Sequence, residues 1–189
     1  MDCIIDRKSG HVEPWTALQT AAYTLLDAPA DSFEEAEHAY YLDGVRLPSV
    51  TQILKAEGFI DARFYDEHSR ERGRIVHLAC EYDDLGELDD DSLDPEIAPY
   101  VEAWRRFKQE SGFVIASVEV PLVSTKHRYA GKPDVRGSFP KGSLRRAAVE
   151  LHNDGTYKLY PFTDRNDVNV WLAALACHNW KKNNLRGRM

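Results

Sequence analysis

The stretch Cys3-Ile4-Ile5-Asp6-Arg7-Lys8-Ser9-Gly10 opens as an apolar run and closes on an acid and a lysine two residues apart. Period-two alternation puts Asp6 and Lys8 on one face of a strand, at the end where the apolar run gives way to Ser-Gly. A carboxylate beside an ammonium at a strand mouth can hold a divalent cation and a water together. The alanine- and leucine-rich segment Trp15–Leu26 follows and predicts a helix, with Gln19 and Tyr23 four residues apart on one face. Standing alone, a D-x-K triplet is also what an ordinary buried strand with a surface charge pair looks like, so its companions decide.

Composition narrows the classes. A chain of 189 residues with 43% hydrophobic content and four Trp is expected to form one domain, residues 1–189, with a sizeable core. Net charge is -7, which excludes an overall polycation, so any contact with nucleic acid must come from a local basic patch. No apolar run approaches the length of a membrane span and the N-terminus carries no signal-peptide pattern, so no membrane association and a cytoplasmic location are expected. Cys3, Cys80 and Cys177 are widely spaced and form no C-x-x-C, which argues against a disulfide framework and a four-cysteine metal cluster.

Beyond the first helix, residues 27–32 read as a proline-containing connector. His38–Pro48 reads as a hairpin turning at Asp43-Gly44, and Ser49 as the N-cap of a short helix that stops near Gly58. A longer helical region has Gly73 near its middle. There Ile75, Leu78, Ala79 and Tyr82 form the expected inward stripe, with Arg70, Arg74, His77 and Glu81 on the other face. The acidic stretch from Asp83 to Asp94 reads as a solvated loop without the spacing of a calcium site. A helix over 95–111 carries Pro99 in its first turn and ends at Gly112. Strands are then expected over 113–123, 129–139, 146–151 and 156–160, and a last helix over about 164–182 with Val168, Trp171, Leu172 and Leu175 inward.

The second chemical stretch is Tyr129-Ala130-Gly131-Lys132-Pro133-Asp134, where Pro133 stiffens the approach and presents Asp134 at a fixed place. Asp134, Asp6, Lys8 and a helical His77 make a plausible oxygen-and-imidazole cage for a hard divalent ion, Mg²⁺ or Mn²⁺.

Taken with Arg72-Gly73-Arg74-Ile75-Val76-His77 and the Q-x-x-x-Y of Gln19 and Tyr23, these residues resemble the PD-(D/E)XK nuclease superfamily, in particular its RecB-like, phage-type exonuclease branch. Four motifs together are far more specific than any one of them. The resemblance implies an α/β, restriction-endonuclease-like core, a central mixed sheet flanked by helices. It implies metal ligation by His77, Asp134, Asp6 and the backbone carbonyl of Arg7, catalysis by Asp134, Asp6 and Lys8, and a strand of DNA positioned by Gln19 and Tyr23. Arg70, Arg72, Arg74, Lys132 and Arg136 are candidate phosphate contacts. The implied reaction is metal-dependent hydrolysis of DNA phosphodiesters in recombination or repair. The partner is DNA, with room for a recombination partner protein and a homo-oligomer. Nothing resembles a Walker A loop or a cysteine quartet, so neither a nucleotide nor an iron-sulfur cluster is expected.

One feature departs from that family. Its D-x-K strand and Q-x-x-x-Y helix ordinarily follow the strand with the first acid; here they come first, in residues 1–30. Residues 34–139 resemble the family's ordinary beginning and 144–189 its end. A conventional order would instead use Glu150-Leu151-His152, with histidine in place of lysine, but only the N-terminal block carries lysine, glycine and the paired helix motif. In a mixed sheet ordered 1-2-3-4 the gap left by the moved strand is about 10 Å, which about five residues can bridge. The block can thus reinsert in its own molecule or swap into a neighbour's sheet. A non-catalytic DNA-binding or assembly module on the same fold is the rival reading, favoured if Asp6 and Lys8 stand away from Asp134.

Overall fold

The computed structural model describes residues 2–60 and 67–185, which form a mixed α/β protein with five helices and a mixed central sheet. The described chain divides into two compact units, each drawn from separated segments.

The first unit takes its residues from Met1–Glu13, Arg63–Glu119 and Pro133–Thr163. Its sheet is built from β1 (Cys3–Lys8), β6 (Val114–Val118), β9 (Val135–Ser138), β10 (Arg146–Leu151) and β11 (Tyr157–Pro161), in the order β11-β10-β1-β9-β6. The apolar N-terminal run lies in the middle of this sheet. β1 runs parallel to β10, with Asp6 opposite Ala148 and Lys8 opposite Glu150, and antiparallel to β9, with Ile5 opposite Val135. The N-terminal strand therefore enters the sheet of its own chain. Alternation puts Cys3, Ile5 and Arg7 on one face and Asp6 and Lys8 on the other.

On the first of these faces pack α3 (Glu67–Leu85) and α4 (Ala98–Ser111). Val76, Ala79 and Cys80 from α3 and Val101, Trp104 and Phe107 from α4 join Cys3, Ile5, Val135, Val149 and Leu151 in one core. α4 keeps the expected stripe, with proline in its first turn and Gly112 closing it at a left-handed φ of 66°. On α3 the buried stripe is turned by about one residue from expectation. Leu78 and Tyr82 are exposed, while Val76 and Cys80 are wholly buried. Two neighbouring stripes of α3 carry similar hydrophobicity, and what the sheet requires selects between them.

The acidic stretch departs further from its sequence reading. Asp83 and Asp84 are helical, and the Asp84 side chain has no exposure. Asp84 accepts hydrogen bonds from Arg7, Trp104 and Lys108, and Asp83 from Arg105 and Lys108. Beyond them Asp89, Asp90 and Asp91 are exposed, as expected.

The second unit takes its residues from Pro14–Ala62, Val120–Lys132 and Asp164–Met189. It holds α1 (Trp15–Tyr23), α2 (Val50–Ala56) and α5 (Asn166–Asn184). It also has two small sheets, β2-β7-β8 (Ala28–Pro29, Leu122–Ser124, Tyr129–Gly131) and β3-β4-β5 (Ser32–Glu34, Ala39–Leu42, Val45–Leu47). The β4-β5 hairpin turns at Asp43-Gly44, both at positive φ, as the two-residue hairpin requires. Ser49 caps α2 and forms a reciprocal capping box with Gln52. On α5, Trp171, Ala174 and Leu175 are buried, whereas Val168 and Leu172 are half-buried.

Two long strands expected from the sequence are each broken, and the break takes the chain from one unit to the other. The 113–123 run splits at Glu119-Val120-Pro121 into β6 and β7, because Pro121 cannot donate to a ladder and Glu119 adopts a left-handed φ of 50°. The 129–139 run splits at Lys132-Pro133-Asp134 into β8 and β9 for the same lack of a donor at Pro133. The helix from Trp15 ends at Tyr23, short of Leu26, and the 27–32 connector contains β2 and the start of β3.

Two glycines are fixed by close approach. A Cβ on Gly131 would stand 2.6 Å from the Tyr23 ring, and one on Gly137 would collide with the Val114 carbonyl oxygen and stand 2.6 Å from the Phe113 ring. Gly137→Ala is expected to destabilise by about 1–3 kcal/mol, the usual cost of overpacking, and Gly131→Ala by a similar or smaller amount because a ring can shift where backbone cannot. Denaturant unfolding with an unchanged m-value checks this; a neutral Gly137→Ala would refute the close packing of β6 on β9.

Candidate metal centre

Four elements of the first unit deliver the site. The last residues of β1 bring Asp6, Arg7 and Lys8. Asp134 immediately precedes β9, and since Ile5 pairs with Val135 antiparallel, Asp6 comes level with Asp134. Glu119 immediately follows β6, whose register shifts between Ile115 and Ser117. His77 comes from the middle of α3.

Ligand atoms of His77, Glu119 and Asp134 all lie within 4.8 Å of one another, the one such trio of metal-ligating groups among the described residues. Asp134 Oδ2 accepts the backbone N–H of Arg7 at 2.7 Å and stands 3.5 Å from His77 Nδ1. Glu119 donates its own backbone N–H to the Asp134 carbonyl at 3.0 Å, which ties the two acids' backbones together. Asp6 stands beside the trio, near enough for its charge and that of Asp134 to affect each other. Its Oδ2 faces the Lys8 ammonium at 2.7 Å, and its buried Oδ1 has no hydrogen-bond partner.

In the sequence Glu119 stands in an apolar run, where alternation gives it no special direction. The register shift and the left-handed φ at Glu119 re-aim its side chain, and backbone of that kind in a non-glycine residue is strained by about 1–3 kcal/mol and concentrates at functional sites. The only sequence signal was an acid two residues before a proline at a strand's end.

The electrostatics separate the two neighbouring aspartates. Burial pushes the Asp6 carboxyl up to about 7, with the Asp134 charge adding to the rise and Lys8 opposing it. Burial would raise Asp134 too, but His77, Arg7, Lys8 and the Arg7 backbone N–H bring it below the ordinary carboxylate range. Burial lowers His77, and the nearby Arg7 and Lys8 charges reinforce this against Asp134 and a hydrogen bond to the Arg7 backbone. A neutral imidazole with two carboxylates is a donor set suited to a divalent cation.

The other predicted residues are placed as follows. In the second unit Gln19 Nε2 donates to the Tyr23 hydroxyl at 2.9 Å; both residues are buried, and they form a pair along α1. Lys132, also of that unit, lies over the Phe33 ring. On α3, Arg70 is exposed, Arg74 makes two hydrogen bonds to Glu71, and Arg72 is half-buried with a buried, unpartnered Nε. Arg136 Nη2 is 3.7 Å from Asp2. On β10, Glu150 accepts the Tyr160 hydroxyl at 2.7 Å, and His152 Nδ1 is bonded to Thr156 at 2.9 Å. The geometry thus brings Asp6, Arg7, Lys8, His77 and Asp134 together with Glu119. No helix of the described residues is long and apolar enough to cross a membrane.

No family model, no curated protein and no solved structure matches this chain.

The raised Asp6 carboxyl has a consequence for stability with a definite sign. Folding favours its protonated form, so its contribution is fully present below pH 4 and is lost as pH rises through about 7. In EDTA, Asp6→Asn should therefore raise the melting temperature at pH 8 by several degrees more than at pH 4.5. Equal shifts at both pH values would show that Asp6 is ionised at little cost.

Proposed function

We propose that this chain is a metal-dependent phosphodiester hydrolase on a restriction-endonuclease-like core. More particularly, it is read as a deoxyribonuclease of the RecB-like, PD-(D/E)XK kind, an exonuclease of phage-type recombination or repair. The observation that carries this reading is the hydrogen bond between Arg7 N–H and Asp134 Oδ2, which closes 127 residues of chain and sets the D-x-K strand against the Pro133-Asp134 turn.

The donor set fits a hard divalent ion, Mg²⁺ or Mn²⁺: two carboxylates and an imidazole converge, and an orphaned carboxylate oxygen of Asp6 lies beside them. His77, Glu119 and Asp134 would hold it; Asp6 and the Arg7 backbone carbonyl, which the resemblance implies as ligands, are not part of that trio. A bound divalent cation supplies Lewis-acid stabilisation of phosphoryl charge and acidifies water. Lys8 orients the attacking water and places a fixed positive charge beside the reacting phosphate. Asp6, whose carboxyl burial raises to about 7, accepts the water's proton in its ionised form. Arg70, Arg72, Arg74, Lys132 and Arg136 are the candidate phosphate contacts, and binding through them would weaken with salt.

The test is cleavage of end-labelled linear and closed circular DNA with Mg²⁺ or Mn²⁺, for the wild type and Lys8→Ala. Degradation of linear DNA only, abolished by EDTA and reduced by at least about a hundredfold in the variant, is expected. If both proteins cut alike, Lys8 is not catalytic and the role passes to the Glu150-His152 strand. If neither cuts any substrate yet both bind DNA, the chain is a non-catalytic DNA-binding module.

A further inference from the structure

Arg7 lies between the acid and the lysine of the D-x-K triplet, yet its side chain enters the core face of the sheet and has no exposure. A guanidinium cannot discharge itself by losing a proton, so its burial demands anionic partners. Nη1 donates to Asp84 Oδ2 at 3.0 Å, and Nη2 stands 3.6 Å from Glu119 Oε1. Asp84 is pinned in turn by the Trp104 indole N–H at 2.7 Å and the Lys108 ammonium at 2.6 Å, both from α4. The guanidinium carbon also lies 5.3 Å from the centre of the Trp104 ring. Arg7 is thus held on one side by rigid helical partners, and it turns its other side to Glu119.

Glu119 follows β6 at a positive φ, beyond the register shift, and its backbone N–H bonds to the Asp134 carbonyl, so its side chain stands between Asp134 and the Arg7 guanidinium. A carboxylate offers about four lone-pair directions on two oxygens, so it can face a guanidinium with one oxygen and a metal with the other. We infer that Arg7 is a positioning residue of the metal centre: anchored on Asp84 and Trp104, its guanidinium holds the Glu119 carboxylate where it shares a divalent cation with His77 and Asp134. This inference rests on the reading of that trio as a metal site. The planar fork of arginine reaches two acids at once, which the single ammonium of a lysine at the same position would not reproduce.

The experiment is Mn²⁺ binding to metal-free protein, followed by electron paramagnetic resonance with circular dichroism as the folding check. The proteins are the wild type, Arg7→Lys, Glu119→Gln and the double variant. Each single variant should weaken binding by about tenfold or more, as loss of outer partners of a metal ligand does. The double variant should be no weaker than the weaker single, because Arg7 acts through Glu119. Losses that add, unchanged affinity in folded Arg7→Lys, or unchanged affinity in Glu119→Gln would each overturn the inference. Should Arg7→Lys not fold, Asp84→Asn removes the anchor and leaves Arg7 in place; it should weaken binding in the wild-type background and not in Glu119→Gln. A wild type that binds no Mn²⁺ overturns the metal reading and this inference together, whereas wild-type binding with additive losses overturns the inference alone.

Discussion

A charge that cannot be neutralised by deprotonation sits at the centre of the sheet. Arg7, on the middle strand β1, is among the largest wholly buried side chains, and acids from α3, from the end of β6 and from the turn before β9 surround it. Burial opposes its charge, but Asp134, Asp84 and Glu119 more than offset that. Removing one partner of such a group leaves an uncompensated charge in a low-dielectric interior, a cost larger than most single contacts. The acids near the end of α3, the indole and lysine of α4, and the acid after β6 are therefore parts of one electrostatic arrangement.

That arrangement also explains how two neighbouring aspartates come to behave differently. Asp134 is surrounded by donors and cations, and keeps its negative charge. Asp6 has one ammonium and an orphaned oxygen, and approaches neutrality near pH 7. Environments that push neighbouring carboxyl groups apart in this way suit them to different chemical tasks. Lys8, on the same face of β1 as Asp6, supplies the charge that stops Asp6 from rising further.

Backbone irregularity does the rest of the positioning. Pro121 and Pro133 each interrupt what would otherwise be a continuous strand, and each interruption stands next to a site acid. A regular strand would fix Glu119 and Asp134 by alternation alone. Ending β6 in a left-handed residue and starting β9 just after Asp134 aims both carboxylates toward the His77 ring on α3, at the cost of local strain.

Much of this was legible in the residues. The apolar run of β1, the Asp-Gly hairpin, the Ser49 capping box and the Trp104-Phe107 stripe of α4 depend on local periodicity and turn chemistry, and the chain order of residues is enough to state them. Residue types, together with the resemblance, also point to Asp6, Lys8, His77 and Asp134 as one set. Tertiary structure alone decided which stripe of α3 is buried, that Asp84 is an internal partner instead of a solvated acid, and that Glu119 joins His77 and Asp134. Each of these depends on a long-range partner: the sheet selects between two near-equal helix faces, the buried Arg7 draws Asp84 inward, and a register shift reverses the direction that strand alternation would give Glu119. Local sequence determines which groups are available; only the folded contacts of β1 determine which of them must face a buried cation.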